Sequence, residues 1–343
     1  MRNFLVLPFC FACSLSAMPL GAVELSGPAF GLATAPNGDL VVAGISDGIV
    51  ATGKNSTAKT VSSLPGFTDV SPIGHGSMWA TRNGVFFGSE GQALYRVSQG
   101  KARMVADLHA FEVANNPHPA EPPDSNPFDV QALGGEYAVV ADAAANDLLL
   151  VSDEGVIEVL AVFPDEVVST ANAKAIFGCP GSGAGFCFAP DMLPAQPVPT
   201  SVAIGPDGWF YVGELKGFPA PLNESRVWRV APWADWVYCN ADGSTPDCQV
   251  VFDGGFTSII DLAFGPDDLL YVTELDEASW FSIEGVGNIT GGTINACDVD
   301  TLDCVEVATD VPAITSISFG KDGRLWAIEN GIGPVLPSVV EIP

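Results

Sequence analysis

At 343 residues, with 48% hydrophobic and 16% charged side chains, the chain carries enough apolar material for a large core, which excludes a disordered protein. Its 41 Asp and Glu against 13 Lys and Arg leave a formal net charge of -28, a surface that repels polyphosphates and anionic headgroups, so nucleic acid is excluded as a partner class. The same excess of acid reads either as solubility or as a capacity to bind cations.

The chain opens with Arg2, an apolar run FLVLPFCFACSLSAM and small residues around Leu20, Gly21 and Ala22, which predicts a secretory signal over 1–22, cleaved between about Ala17 and Ala22. The run is short for a transmembrane anchor, and neither Cys10 nor Cys13 follows a lipobox. From residue 23 onward one pattern recurs: an alternating strand, a turn of the P-N/D-G type, then a strand rich in Val, Leu and aromatics. The copies read FGLATAPNGDLVVAG at 30–44, GSMWATRNGVFFGSE at 76–90, FDVQALGGEYAVVAD at 128–142, TSVAIGPDGWFYVGE at 200–214, IDLAFGPDDLLYVTE at 260–274 and TSISFGKDGRLWAIE at 315–329. Six such hairpins, each too small to bury its own faces, predict an all-β, six-bladed β-propeller over 23–343. Only SVVEI at 338–342 follows the sixth hairpin, so AVEL at 22–25 is expected to complete that blade as a Velcro closure between the termini.

The insertions between hairpins carry the six remaining cysteines as three close pairs, Cys179 with Cys187, Cys239 with Cys248 and Cys297 with Cys304. In an exported chain this pattern predicts three disulfides closing short loops; a zinc site would need closer spacing and a nearby His, and His75, His109 and His118 are all distant. The expected location is secreted or periplasmic. Insertions at about 165–197, 216–224 and 276–296 are expected to form a rim, with KGFPAPL at 216–222 placed to line a pocket.

Laying the hairpins over one another exposes two columns. At the end of the second strand stand Gly44, Glu90, Asp142, Glu214, Glu274 and Glu329; at the start of the first stand Gly31, Ser77, Asp129, Ser201, Asp261 and Ser316. Antiparallel pairing brings both columns to one end of each blade. Carboxylates crowded there need protons, a cation or hydrogen-bond donors to neutralise them. A hard cation such as Ca²⁺ is one answer, with Asp129, Glu214 and Asp261 as ligands and Asn126 and Glu274 in reserve. The other is structural, each acid accepting backbone N–H groups. The alternate position along the first strand, Ala33, Trp79, Gln131, Ala203, Ala263 and Ser318, suits a narrow channel, with Trp79 as a plug or a stacking platform.

Three blocks are more particular. PPDSNPFDV at 122–130 with VVADAAANDLLLVSDEG at 139–155, VPTSVAIGPDGWFYVGELKGFP at 198–219 and SIIDLAFGPDDLLYV at 258–272 resemble the ScyD/ScyE family of exported propellers, and VADAAAND resembles an NHL blade core. The resemblance implies six blades and an extracytoplasmic location, and supplies no catalytic residues. The cysteine pairs and their insertions depart from the family pattern. There is no Walker-type glycine loop. Two functions stay open. One is a binding or scaffold module for a small molecule, peptide or polysaccharide, monomeric and without membrane insertion. The other is a metal-assisted, lactonase-like hydrolase in which a divalent cation polarises a carbonyl beside a carboxylate base. His118, in a Pro-rich loop, is a candidate base or a plain surface histidine.

Overall fold

The computed structural model describes residues 25–343 except 53–57, 75, 85–90 and 121. The expected signal segment, most of AVEL, His75 and Glu90 lie outside the described residues.

Six small antiparallel sheets form a six-bladed β-propeller. Their innermost strands are Ala29–Thr34, Phe67–Gly74, Pro127–Leu133, Pro199–Ile204, Ile259–Phe264 and Ser316–Phe319, one per blade in chain order. The second strands are largely buried, Leu40–Gly44 and Phe210–Glu214 along their whole length. A blade sandwiched between two others buries both faces of its middle strand, which is why LVVAG and FYVGE read as continuous apolar runs and not as alternation.

In blades 1, 4, 5 and 6 the turn between first and second strands is closed by an Asx side chain: Asp207 Oδ1 accepts the Trp209 N–H at 3.1 Å and Asn37 Oδ1 the Asp39 N–H at 3.1 Å, with Asp267 and Asp322 in the same role. The residue after the Asx has positive φ, supplied by Gly at 38, 208 and 323 and, in blade 5, by Asp268 at φ 63. Blade 3 turns through Gly134, also of positive φ. Blade 2 departs further, and here the expected alignment fails. Its inner hairpin pairs Phe67–Gly74 with Ser77–Arg82, turning at Gly74 and Gly76, both of positive φ. The Asn83–Gly84 dipeptide that resembled the turn instead follows the second strand. Ser77 and Trp79 are therefore second-strand residues, and the described members of the two columns in this blade are Asp69 at the start of the first strand and Arg82 at the end of the second. Trp79 is no channel plug: it is fully buried between blades 2 and 3, its indole N–H donating to Gly134 O at 3.3 Å.

Every seam between neighbouring blades has its own apolar cluster, including the seam between the last blade and the first, where Leu25, Leu32 and Val42 pack on Trp326, Ile328 and Val339. Blade 6 contributes three paired strands among the described residues, ending at Ser338–Ile342. Hydrogen bonds close the ring as well: Thr315 Oγ1 donates to Ala29 O at 2.7 Å, and Leu32 N–H to Ser316 Oγ at 3.0 Å. The same threonine device recurs on alternate blades, Thr68 to Pro127 O and Thr200 to Ile259 O, each at 2.7 Å.

All three expected disulfides form. Cys239–Cys248 straps a seam, because Val237 and Tyr238 pair in parallel with the outer strand of blade 3 while Cys248 begins the outer strand of blade 4. Cys179–Cys187 closes a loop after helix α1 (Ala171–Ile176), inside an insertion held by the hairpin of Glu166–Ser169 with Met192–Ala195. That loop brings Phe177 and Phe186 against Phe218 and Phe281, with ring centroids 5.0 to 5.4 Å apart.

Candidate functional site

Two cavities meet the inner strands. The first is a polar channel of about 360 Å³, lined by Asp69, Asp129 and Asp261 and, further along the strands, by small residues such as Ala33, Ala203 and Ala263. Each aspartate begins an inner strand and reaches sideways to the next blade. Asp69 Oδ2 accepts the Val130 N–H at 3.2 Å, Asp129 Oδ2 the Val202 N–H at 2.6 Å, and Asp261 Oδ2 the Ile317 N–H and the Ser316 hydroxyl, both at 2.7 Å. Blade 1 has Gly31 at this position because a Cβ there would lie 2.4 Å from Asp69 Oδ1 and 2.6 Å from Asp69 Cα.

Protons neutralise much of this cluster. Burial, then the charge of Asp129, push Asp261 up to about 8, so it is largely neutral at pH 7. Burial and the same neighbour hold Asp69 well above the carboxylate range, and a hydrogen bond joins the Asp69 and Asp129 carboxyl groups. The three acids thus combine proton sharing with amide donors from the neighbouring strands.

The other expected metal ligands go elsewhere. Glu214 is fully buried, with Oε2 2.5 Å from Lys216 Nζ and Oε1 accepting the Trp228 indole N–H at 2.6 Å. Lys216, itself 0% exposed, bridges on to Glu166 at 2.8 Å, and Glu166 also pairs with Arg226. Burial raises Glu214 while the Lys216 ammonium opposes the rise. Glu274 accepts the Thr257 N–H at 2.5 Å and the Asn295 amide at 2.7 Å, and burial pushes it up to about 7. Asn126 Oδ1 accepts from Asn83 at 2.7 Å. Of the five residues expected to hold Ca²⁺, the structure brings together only Asp129 and Asp261, beside the unforeseen Asp69. Among the described residues no group of three His, Cys, Asp or Glu side chains is arranged to hold a metal ion. With their oxygens occupied by N–H, O–H and ammonium donors, these side chains do not fit Ca²⁺ as placed. His118 faces Asp165 at 3.9 Å and lines neither cavity.

The second cavity is an apolar cup of about 400 Å³ on the opposite side of the aspartate layer, lined by residues that begin the inner strands or follow the second ones. Phe30, Phe128 and Ile260 immediately precede the aspartate column; Leu215 and Leu275 follow Glu214 and Glu274. Gly217 and Phe218 of the 216–222 segment complete one wall, and Trp280 and Glu284 on helix α2 (Trp280–Val286) another. Trp280 is held by its indole N–H, which donates to Lys216 O at 2.9 Å, so the buried Lys216 network fixes two sides of the cup at once. Sequence reasoning placed the 216–222 segment at a pocket and the 276–296 insertion at the rim, without singling out Trp280 and Glu284 within it.

No family model matches the chain, and no curated protein matches it. Solved structures match its fold. A gluconolactonase from Xanthomonas campestris aligns with a TM-score of 0.57 at 12% identity, over 94% of this chain and 91% of that one. A putative oxidoreductase (glucose dehydrogenase) from Thermus thermophilus gives 0.59 at 15%, over 94% and 98%. Virginiamycin B lyase from Staphylococcus aureus gives 0.53 at 13%, over 92% and 82%. At these identities the likeness is one of fold. Three disulfides suit an oxidising compartment, and no helix among the described residues is long and apolar enough to cross a membrane.

Proposed function

We propose that this protein is an exported ligand-binding propeller of ScyD/ScyE type, with the leader over 1–22 directing its export, and that the apolar cup is its binding site. The observation that carries this reading is the cup itself: a concavity of about 400 Å³ at the channel mouth, walled by Phe30, Phe128, Phe218 and Trp280. Its size falls within the range of small-molecule sites, roughly 300–1,000 Å³. Preformed aromatic walls of this kind bind compact apolar groups with little reorganisation. The binding reading stands ahead of metal-assisted hydrolysis because the channel carboxylates are engaged with amide donors and protons.

The test is a fluorescence titration with small aromatic solutes, using Trp280 as reporter. Binding should be saturable and should weaken at least about tenfold in Phe128→Ala, the loss expected for removing one packed ring from a pocket. Undiminished affinity in Phe128→Ala would move the site elsewhere. Thermal melts in chelator and in a Ca²⁺ series decide the calcium question alongside: a saturable, Ca²⁺-selective rise would restore the cation reading.

A further inference from the structure

We propose that the ligand of the cup is an organic cation, an amine or quaternary ammonium group carried on a compact apolar body; the inference rests on the cup being the binding site. The argument begins with what the walls no longer offer. The hydroxyls of Thr68 and Thr200 are spent on the neighbouring strands, the Trp280 indole N–H on Lys216 O, and the Asn126 oxygen on Asn83. What they do offer is aromatic surface, one carboxylate and, as the one side-chain donor, the Asn126 amide. Phe30 and Phe128 meet edge to face at 5.4 Å, and Phe218 and Trp280 stand on other walls. Aromatic faces carry negative potential and attract cations.

Glu284 is the acid of this cavity, and it has neither a hydrogen-bond nor an ion-pair partner among the described residues. It stays accessible, while desolvation by its surroundings raises its pKa with no cation opposing it. A ligand ammonium beside it supplies the missing counter-charge, and the rings stack on the apolar remainder. The whole molecule favours the same sign, since a net charge of -28 draws cations toward its surface and turns anions away.

Isothermal titration with four matched probes tests this: 2-phenylethylamine, benzyltrimethylammonium, the neutral 2-phenylethanol and the anionic phenylacetate. Both cations should bind about tenfold or more tightly than the alcohol, the scale of a charge-assisted contact added to cation–π attraction. Phenylacetate should bind most weakly of the four. Glu284→Gln, its fold verified by melting, should bring amine and alcohol within about twofold of each other, while Phe128→Ala should weaken all the probes that bind. Equal binding of amine and alcohol by the natural protein overturns the cation inference and leaves the apolar cup standing. A full cation preference retained in Glu284→Gln overturns the role given to that carboxylate. Binding of none of the four overturns the inference together with the cup reading beneath it.

Discussion

Asp261, Glu112 and Glu274 are acids whose pKa values in the folded state are raised to about 8, about 8 and about 7, in each case chiefly by burial. Unfolded, such groups titrate near pH 4. Between those limits the folded chain holds protons that the unfolded chain has released, so these groups make stability fall as pH rises from about 4 to about 8. The melting temperature should therefore be higher at pH 5 than at pH 8, and Asp261→Asn should flatten the slope. A melting temperature that climbs steadily over that interval would contradict the assignment. Lys216 makes a different case at the same scale. Its ammonium is fully buried between Glu214 and Glu166, so Lys216→Met strips the buried Glu214 of its cation and leaves Glu166 with Arg226 alone. The expected cost is about 3–5 kcal/mol in chemical denaturation, with Lys216→Met/Glu214→Gln recovering part of it. Because Lys216 O also holds Trp280, affinity in the cup should drop with it.

At the scale of strands and turns, the inner strands of blades 1 and 2 approach so closely that Gly31→Ala must push backbone against backbone. A cost of about 1–3 kcal/mol in denaturant unfolding is expected, with Gly31→Ser no better tolerated. Five of the six hairpins were legible in the sequence because tight turns built on Asx or Gly and a doubly buried second strand leave a strong local signal. Blade 2 was not. It turns through Gly74 and Gly76, while Asn83–Gly84 supplies a turn-like dipeptide one strand later. That slip hid Asp69 and put Ser77 in its place. The aspartate column was legible as a column; its meaning was not, since sequence cannot tell a carboxylate facing a cation from one facing the next strand's amide. Trp280 and Glu284 were hidden for another reason, as an insertion has no sister repeat to align with.

Across the whole molecule, lateral bonds from the inner strands are unevenly shared. Blade 2 is tied to blade 3 by Thr68, Asp69 and Ser71, blade 3 to blade 4 by Asp129, blade 4 to blade 5 by Thr200, blade 5 to blade 6 by Asp261, and blade 6 to blade 1 by Thr315 and Ser316. Between blades 1 and 2, Gly31 brings no side chain, and no inner-strand side-chain hydrogen bond crosses among the described residues. The seam without chain continuity, between blades 6 and 1, is thus latched by Thr315 and Ser316 and again by the Thr34 and Ser318 hydroxyls 3.1 Å apart, whereas the seam at Gly31 relies on apolar packing and on the polypeptide running through 63–66. Here the covalent backbone itself acts as the clasp. A circular permutant with the natural ends joined and new ends cut at 63–66 should consequently melt well below one cut at 116–120, where Thr68, Asp69 and Ser71 still hold the neighbours together. Where a gene for this ring can begin is then constrained by a single glycine, through the side chain it withholds.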